Sequence, residues 1–260
     1  FVLSALFVTV GVFAQQDQEK KEPQQGHKNE NKFKQLYEEF STPNMYRAAS
    51  GAPGSAYYQQ QADYKMDLVL DDVNAKLSGF ETITYTNNSP DVLSYLWVQL
   101  DQNMRARDSK TPLIEGSGVS PVAQIGSYAN DYMGEGFDGG FNIEEVKDTN
   151  GKPLQHMINR TMMRVEMPKP LASGEQFSFS IKWWYNINDH VNGRGRSGYE
   201  YFKEDDNRAY VIAQFYPRMA VYNDVEGWQN SQFWGRDEFA LPFGDFDVNI
   251  TVPADHILDG

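Results

Sequence analysis

Cysteine is absent from all 260 residues, and histidine occurs only as His27, His156, His190 and His256. The first absence excludes disulfides, thiolate metal ligands and a cysteine nucleophile. The second leaves few metal ligands. No His is followed by Glu and none has a second His four places on, the spacing that a zinc-hydrolase helix uses. A Gly-x-Ser-x-Gly elbow and a phosphate-binding glycine loop are missing too. Positive charge is scarce, with 23 Lys and Arg against 36 Asp and Glu and a formal net charge of −13. Nucleic acid requires clustered basic residues, so that partner is excluded, as is adsorption to anionic lipid.

What the chain does have is aromatic surface. Fifteen Tyr, 16 Phe and 5 Trp make up 14% of a sequence that is 40% apolar. Such side chains favour pleated sheet, and this length suits one large all-β domain. The one long apolar run opens the sequence, FVLSALFVTVGVFA at residues 1–14. It is shorter than the roughly 20 residues needed to cross a bilayer. With Val12-Phe13-Ala14 as a cleavage site it reads as a secretory leader cut at its start; a buried helix is the plainer alternative. Export is therefore expected, to the periplasm, the cell surface or the medium.

Residues 15–56 read as a polar linker. QQDQEKKEPQQGHKNEN carries no large apolar side chain and cannot offset its own ordering entropy. FKQLYEEF, at 33–40, has the spacing of a short amphipathic helix, and 41–56 is rich in turn formers. The folded domain is expected over 57–260. YKMDLVLD (64–71) alternates Tyr64, Met66, Leu68 and Leu70 against polar neighbours, and LSGFETITYTN (77–87) returns as the other arm of a hairpin. Further strands are expected at YLWVQLD, FNIEEVKD, TMMRVEMP, EQFSFSIKWWYNI, RAYVIAQFY and FDVNITVP, with Asn150-Gly151 marking a tight turn. Eight or nine strands without a convincing long helix or a repeat period predict an all-β fold, an antiparallel sandwich or a saddle-like double sheet.

Two weaker constellations exist. Asp131, Glu135 and Asp138 lie in a Gly-rich loop but lack the spacing of a calcium loop, so a solvated loop is the simpler reading. Glu200, Asp205, Asp206, Asp237 and Glu238 include carboxylate pairs of the kind a glycosidase uses, with nothing in the sequence to fix their separation. The most chemically mixed stretch is AQFYPRMAVYNDVEGW (213–228). There an apolar run stops and Gln214, Tyr216, Arg218, Asp224, Glu226 and Trp228 follow. A strand end bearing an amide, a phenol and a guanidinium suits the wall of a cleft. Its structural alternative is a turn in which Gln214 and Tyr216 satisfy backbone groups over packed Trp228 and Trp234.

Two blocks carry a resemblance. YKMDLVLDDVNAKLSGFETITYTNNSPDVLSYLWVQLDQN (64–103), and AYVIAQFYPRMAVYND followed by FGDFDVNITVP, are similar in order to the amino-terminal domain of the zinc aminopeptidase N family. The likeness covers about 57–260. It implies a β-saddle that packs on a thermolysin-like catalytic domain following residue 260 and closes one side of its cleft. That catalytic domain would hold the zinc, with none bound by this chain, and the substrates would be peptides cleaved at their amino termini. Gln214 falls on the family's Gln that faces the first substrate residue. Tyr216 falls where the family has Glu or Gln to hold the α-amino group. A phenol cannot neutralise an ammonium, although its ring attracts a cation by roughly 0.5–2 kcal/mol. Asp224 matches a turn position and carries over a structural role only. The rivals are a free-standing sandwich that binds carbohydrate or protein, with Trp183, Trp184 and Trp228 as a stacking platform, and a purely structural surface domain.

Overall fold

The computed structural model describes residues 43–111, 114, 137–190, 197–235 and 240–259. The leader at 1–14, the helix at 33–40, and Asp131, Glu135, Asp237 and Glu238 lie outside the described residues. The architecture is nearly all β, in two facing sheets without a closed barrel.

The larger sheet is built from β1 (Gln61–Asp71), β2 (Lys76–Thr86), β4 (Asn142–Asp148), β7 (Gln176–Asn186) and β13 (Phe246–Thr251), in the order β13-β1-β2-β7-β4. The smaller holds β3 (Leu93–Gln99), β5 (His156–Asn159), β6 (Met162–Leu171) and β10 (Arg218–Met219), in the order β10-β3-β6-β5. Two hairpins stand apart: β8 (Gly198–Phe202) with β9 (Asn207–Val211), and β11 (Tyr222–Asn223) with β12 (Gly227–Trp228).

Period-two alternation sets the inner faces. Tyr64, Met66, Leu68 and Leu70 of β1 are buried, as are Phe179, Ile181, Trp183 and Tyr185 of β7 and Leu96 and Val98 of β3. Each large apolar side chain withdrawn from water contributes roughly 1.5–3 kcal/mol. β1 and β2 pair in one register from Gln61↔Thr86 to Asp71↔Lys76. The Asp71 carboxylate closes their turn by accepting from the Asn74 backbone N–H (3.0 Å) and side-chain Nδ2 (2.7 Å). The Asn150-Gly151 turn forms as expected, with Gly151 at φ +78° and the Asp148 N–H donating to the Lys152 carbonyl at 2.9 Å. Past it, only the isolated bridge Lys147↔Pro153 continues the hairpin, and β5 crosses to the opposite sheet.

Three features depart from the sequence reading. The strand expected over 208–216 ends at Val211 and pairs with β8 outside the sandwich. The closing strand β13 runs parallel to β1, with Tyr64↔Phe246, Met66↔Val248 and Leu68↔Ile250 side by side. The stretch 43–56 is tied down: the Arg47 guanidinium donates to both carboxylate oxygens of Asp224, Nε at 2.9 and 3.1 Å and Nη2 at 2.9 Å.

The sheets are unequal, five strands against four, and β13 overhangs. Phe246, Val248 and Ile250 share the inward face of β1 yet remain 51%, 37% and 43% exposed.

Candidate functional site

Gln214 and Tyr216 sit on the turn between β9 and β10. Gln214 is in the left-handed region, at φ +53°. A non-glycine residue there costs about 1–3 kcal/mol and persists only where its surroundings hold it. Gln102, buried in the 3-10 helix Asp101–Arg105, does the holding. Its side-chain Nε2 donates to the carbonyls of Ala213 (2.9 Å) and Gln214 (3.1 Å), while its Oε1 accepts from Arg105 Nη1 at 3.0 Å. Ser197 Oγ accepts the Ala213 N–H at 3.2 Å. The turn is thereby fixed from behind. Gln214 is half-buried, and among the described residues its side-chain amide has no hydrogen-bond partner.

Tyr216 points back toward the sandwich. Its ring meets Tyr64 edge-on at 5.3 Å, Phe246 edge-on at 6.1 Å and Phe215 at 5.0 Å. Beneath it lies a polar group at the end of the core. Arg218 forms a buried ion pair with Asp101, through Nη2 and Oδ2. The Tyr64 phenol oxygen accepts the Met219 N–H at 2.8 Å. Glu81 is fully buried on β2 between the register positions of Met66 and Ile181, and among the described residues both its carboxylate oxygens are without a hydrogen-bond partner.

Electrostatics follow from this burial. Desolvation pushes the Glu81 carboxyl well above the ordinary carboxylate range, with no donor near enough to oppose it. Asp101 is also raised by desolvation, and the Arg218 charge holds that rise back. The Tyr216 phenol is raised first by burial and then by the charges of Glu81 and Asp101, against the lowering effect of Arg218. Tyr64 moves the same way for similar reasons.

The polar residues of 213–228 do not converge. Arg218 turns inward to Asp101, Asp224 turns to Arg47, and Trp228 packs on Tyr222 (5.2 Å) and Tyr85 (5.9 Å). Glu226 is exposed, and its backbone N–H donates to Asn223 Oδ1 at 2.9 Å. Gln214 and Tyr216 alone remain at the turn. The aromatic platform also fails to assemble. Trp183 is buried, the ring of Trp184 is capped by the Lys76 ammonium at 3.9 Å, and Trp228 packs on its two tyrosines. Of the scattered carboxylates, Asp206 accepts the Tyr201 hydroxyl at 2.7 Å and Glu200 is exposed. Asp138 accepts the Arg107 N–H at 3.2 Å. Among the described residues no three His, Asp or Glu side chains converge as a metal site would require.

Sequence reasoning missed Glu81, Gln102 and the Asp101–Arg218 pair. Parity along β2 is the signal for Glu81, because it alternates in phase with Leu77, Ile83 and Tyr85. Gln102 carries no such signal: its partner Ala213 lies 111 residues away.

Comparison with family models and with characterised proteins finds no match. Among solved structures the chain is similar to M1 zinc metallopeptidases. A mutant from Deinococcus radiodurans bound to a Tyr-Ser-Ala substrate gives a TM-score of 0.37 at 14% identity, over 75% of this chain and 33% of that one. A two-domain M1 zinc metallopeptidase mutant bound to L-tryptophan gives 0.37 at 14% identity, over 78% and 35%. The unmutated Deinococcus radiodurans enzyme gives 0.36 at 16% identity, over 75% and 32%. The chain spans about a third of the length of these structures.

Proposed function

We propose that this chain is the substrate-facing amino-terminal β domain of an exported zinc aminopeptidase, and that it binds and orients the amino end of a peptide. The observation that carries the reading is the Gln214 turn. A strained residue is clamped by Gln102 and Arg105 so that its amide stands at the end of a rigid sandwich with its hydrogen-bonding capacity unspent. Such an amide can receive the first residue of a peptide, as the aminopeptidase resemblance of 64–103 and 209–253 implies. In this reading zinc is held by an adjoining catalytic domain, where it would activate water for attack on the peptide bond. The residues here supply position and a wall.

The overhanging row of Phe246, Val248 and Ile250 favours an adjoining domain over a free-standing sandwich. An exposed apolar row beside a buried core is a surface for which a solitary domain has no use. The dispersal of Trp183, Trp184 and Trp228 removes the platform on which carbohydrate binding would rest.

Kinetics of the full-length gene product test the reading. Replacing Gln214 with Ala should lower kcat/KM for short peptides about 10- to 100-fold, the worth of one hydrogen bond to a charged or reacting group. Unchanged kcat/KM would remove Gln214 from the substrate.

A further inference from the structure

Among the described residues Arg47, Arg164, Arg208 and Arg218 are buried or half-buried, and each is paired with a carboxylate, from Asp224, Glu166, Asp72 and Asp101 in turn. Arg105, on the 3-10 helix, is half-buried as well, yet no described carboxylate pairs with it. Its one side-chain hydrogen bond among the described residues runs from Nη1 to the neutral amide oxygen of Gln102, at 3.0 Å. That bond needs a donor and not a charge. Burial lowers the Arg105 pKa from its ordinary value, with the Tyr185 phenol as the opposing influence. A guanidinium taken partly out of water without a counter-charge is costly, and the rest of its planar fork is left to donate elsewhere. Its position relates it to the turn. The Gln102 side chain that accepts from Arg105 donates in turn to the carbonyls of Ala213 (2.9 Å) and Gln214 (3.1 Å), so guanidinium, amide and turn form one hydrogen-bonded row. The Gly139 N–H donates to the Arg105 carbonyl at 2.9 Å and ties its backbone to the segment before β4.

We propose that Arg105 binds a carboxylate of the peptide received at the Gln214 turn, supplied by an acidic side chain or by the free terminus of a short peptide. The proposal rests on the peptide-binding reading of that turn and deepens it, because it names the substrate class. The fork of a guanidinium matches the two oxygens of a carboxylate, and one N–H group of Arg105 stays on Gln102 while the others reach the anion. The clamp on the turn therefore stays closed when the carboxylate docks. The net charge of −13 repels an anion at long range. Salt screens that repulsion beyond about 8 Å at physiological ionic strength, so the guanidinium sets the sign of the field at its own site.

Kinetics of the full-length gene product with three substrates test this. Glu-Ala-amide carries a side-chain carboxylate, Gln-Ala a terminal one, and Gln-Ala-amide none. Expected is a kcat/KM about tenfold or more above that of Gln-Ala-amide for at least one of the two acids, the worth of a charge-assisted hydrogen bond at a half-buried site. A preference for Glu-Ala-amide puts a side chain on Arg105, and a preference for Gln-Ala puts the terminus there. Arg105→Gln keeps a donor for Gln102 and loses the charge, so it should bring the ratio of acidic to neutral substrate to about one. Arg105→Lys, which keeps the charge without the fork, should retain part of it. Hydrogen exchange over 212–218 in Arg105→Gln should match the wild type. Accelerated exchange together with the lost preference would make Arg105 a part of the clamp only, and would overturn the carboxylate assignment. So would a preference that survives Arg105→Gln, or equal cleavage of all three substrates by the wild type; the effect of Gln214→Ala then decides the peptide reading by itself. If none of the three is cleaved, both readings fall.

Discussion

Gly79 and Glu81 stand two residues apart on the inward face of β2, and the core treats them in opposite ways. At Gly79 the Trp183 indole lies so close against the backbone that a methyl group would collide with it. Trp183 in turn stacks on Tyr185 at 6.0 Å and meets Phe141 edge-on at 5.4 Å. At Glu81 the same sheet buries a carboxyl that has no hydrogen-bonding partner among the described residues. Neighbouring positions on one inward face are thus organised, the first by shape and the second by charge. Shape complementarity accounts for stability. An unmet buried acid works against it, so its presence points to a role outside folding.

The sharpest break of this comparison is at the aromatic position. Trp183→Ala should cost about 3–5 kcal/mol, the range for emptying a large aromatic site in a core that cannot collapse around it. Urea unfolding measures it. A loss below about 1 kcal/mol would mean that the indole fills space without organising it, and the contrast with Glu81 would vanish.

At the charged position the expected effect is smaller per step and has the opposite sign. Burial raises the folded-state pKa of Glu81, while the unfolded carboxyl titrates near its ordinary value of 4.5. Above that value the native state holds a proton that the unfolded state has released. Stability is therefore complete below about pH 4.5 and falls by at most about 1.4 kcal/mol per pH unit until the folded-state pKa is reached. Glu81→Gln removes this proton linkage. Its stability relative to wild type should be pH-independent well below pH 4.5 and should rise as the pH is taken above that value in denaturant titrations. A constant difference above it would show that Glu81 ionises normally in the fold.

How much of this was legible beforehand differs from segment to segment for a physical reason. The strands β1, β2 and β7 were readable because one face is buried, and their alternation registers that fact residue by residue. The alternation of Tyr64, Met66, Leu68 and Leu70 marks one face of β1, and that face is buried. The end of β9 was misread, because RAYVIAQFY keeps its strand-like composition through Tyr216 while a distant glutamine forces Gln214 left-handed. The parallel pairing of β13 had no local signature, since it joins segments 182 residues apart, as the Asn249–Asp67 hydrogen bond at 3.0 Å shows. Gln214 and Tyr216 were found through motif resemblance, and the structure places both on one turn. The acid behind them was visible only as a polar residue at an inward position, a place where alternation predicts something apolar.

The smallest expected change in global stability belongs to the clamp that joins the two ends of this argument. Gln102→Ala removes three hydrogen bonds, two to the carbonyls of Ala213 and Gln214 and one accepted from Arg105 Nη1. All three are only partly buried, so water replaces much of what is lost and the global cost should be about 1 kcal/mol. Locally the consequence is larger, because nothing else described holds both carbonyls and the left-handed Gln214 is then free to relax. Hydrogen exchange should accelerate over residues 212–218 while β1, β2 and β7 keep their protection. If exchange in the turn is unchanged, the strain at Gln214 is held without Gln102, which is then a bystander to the site.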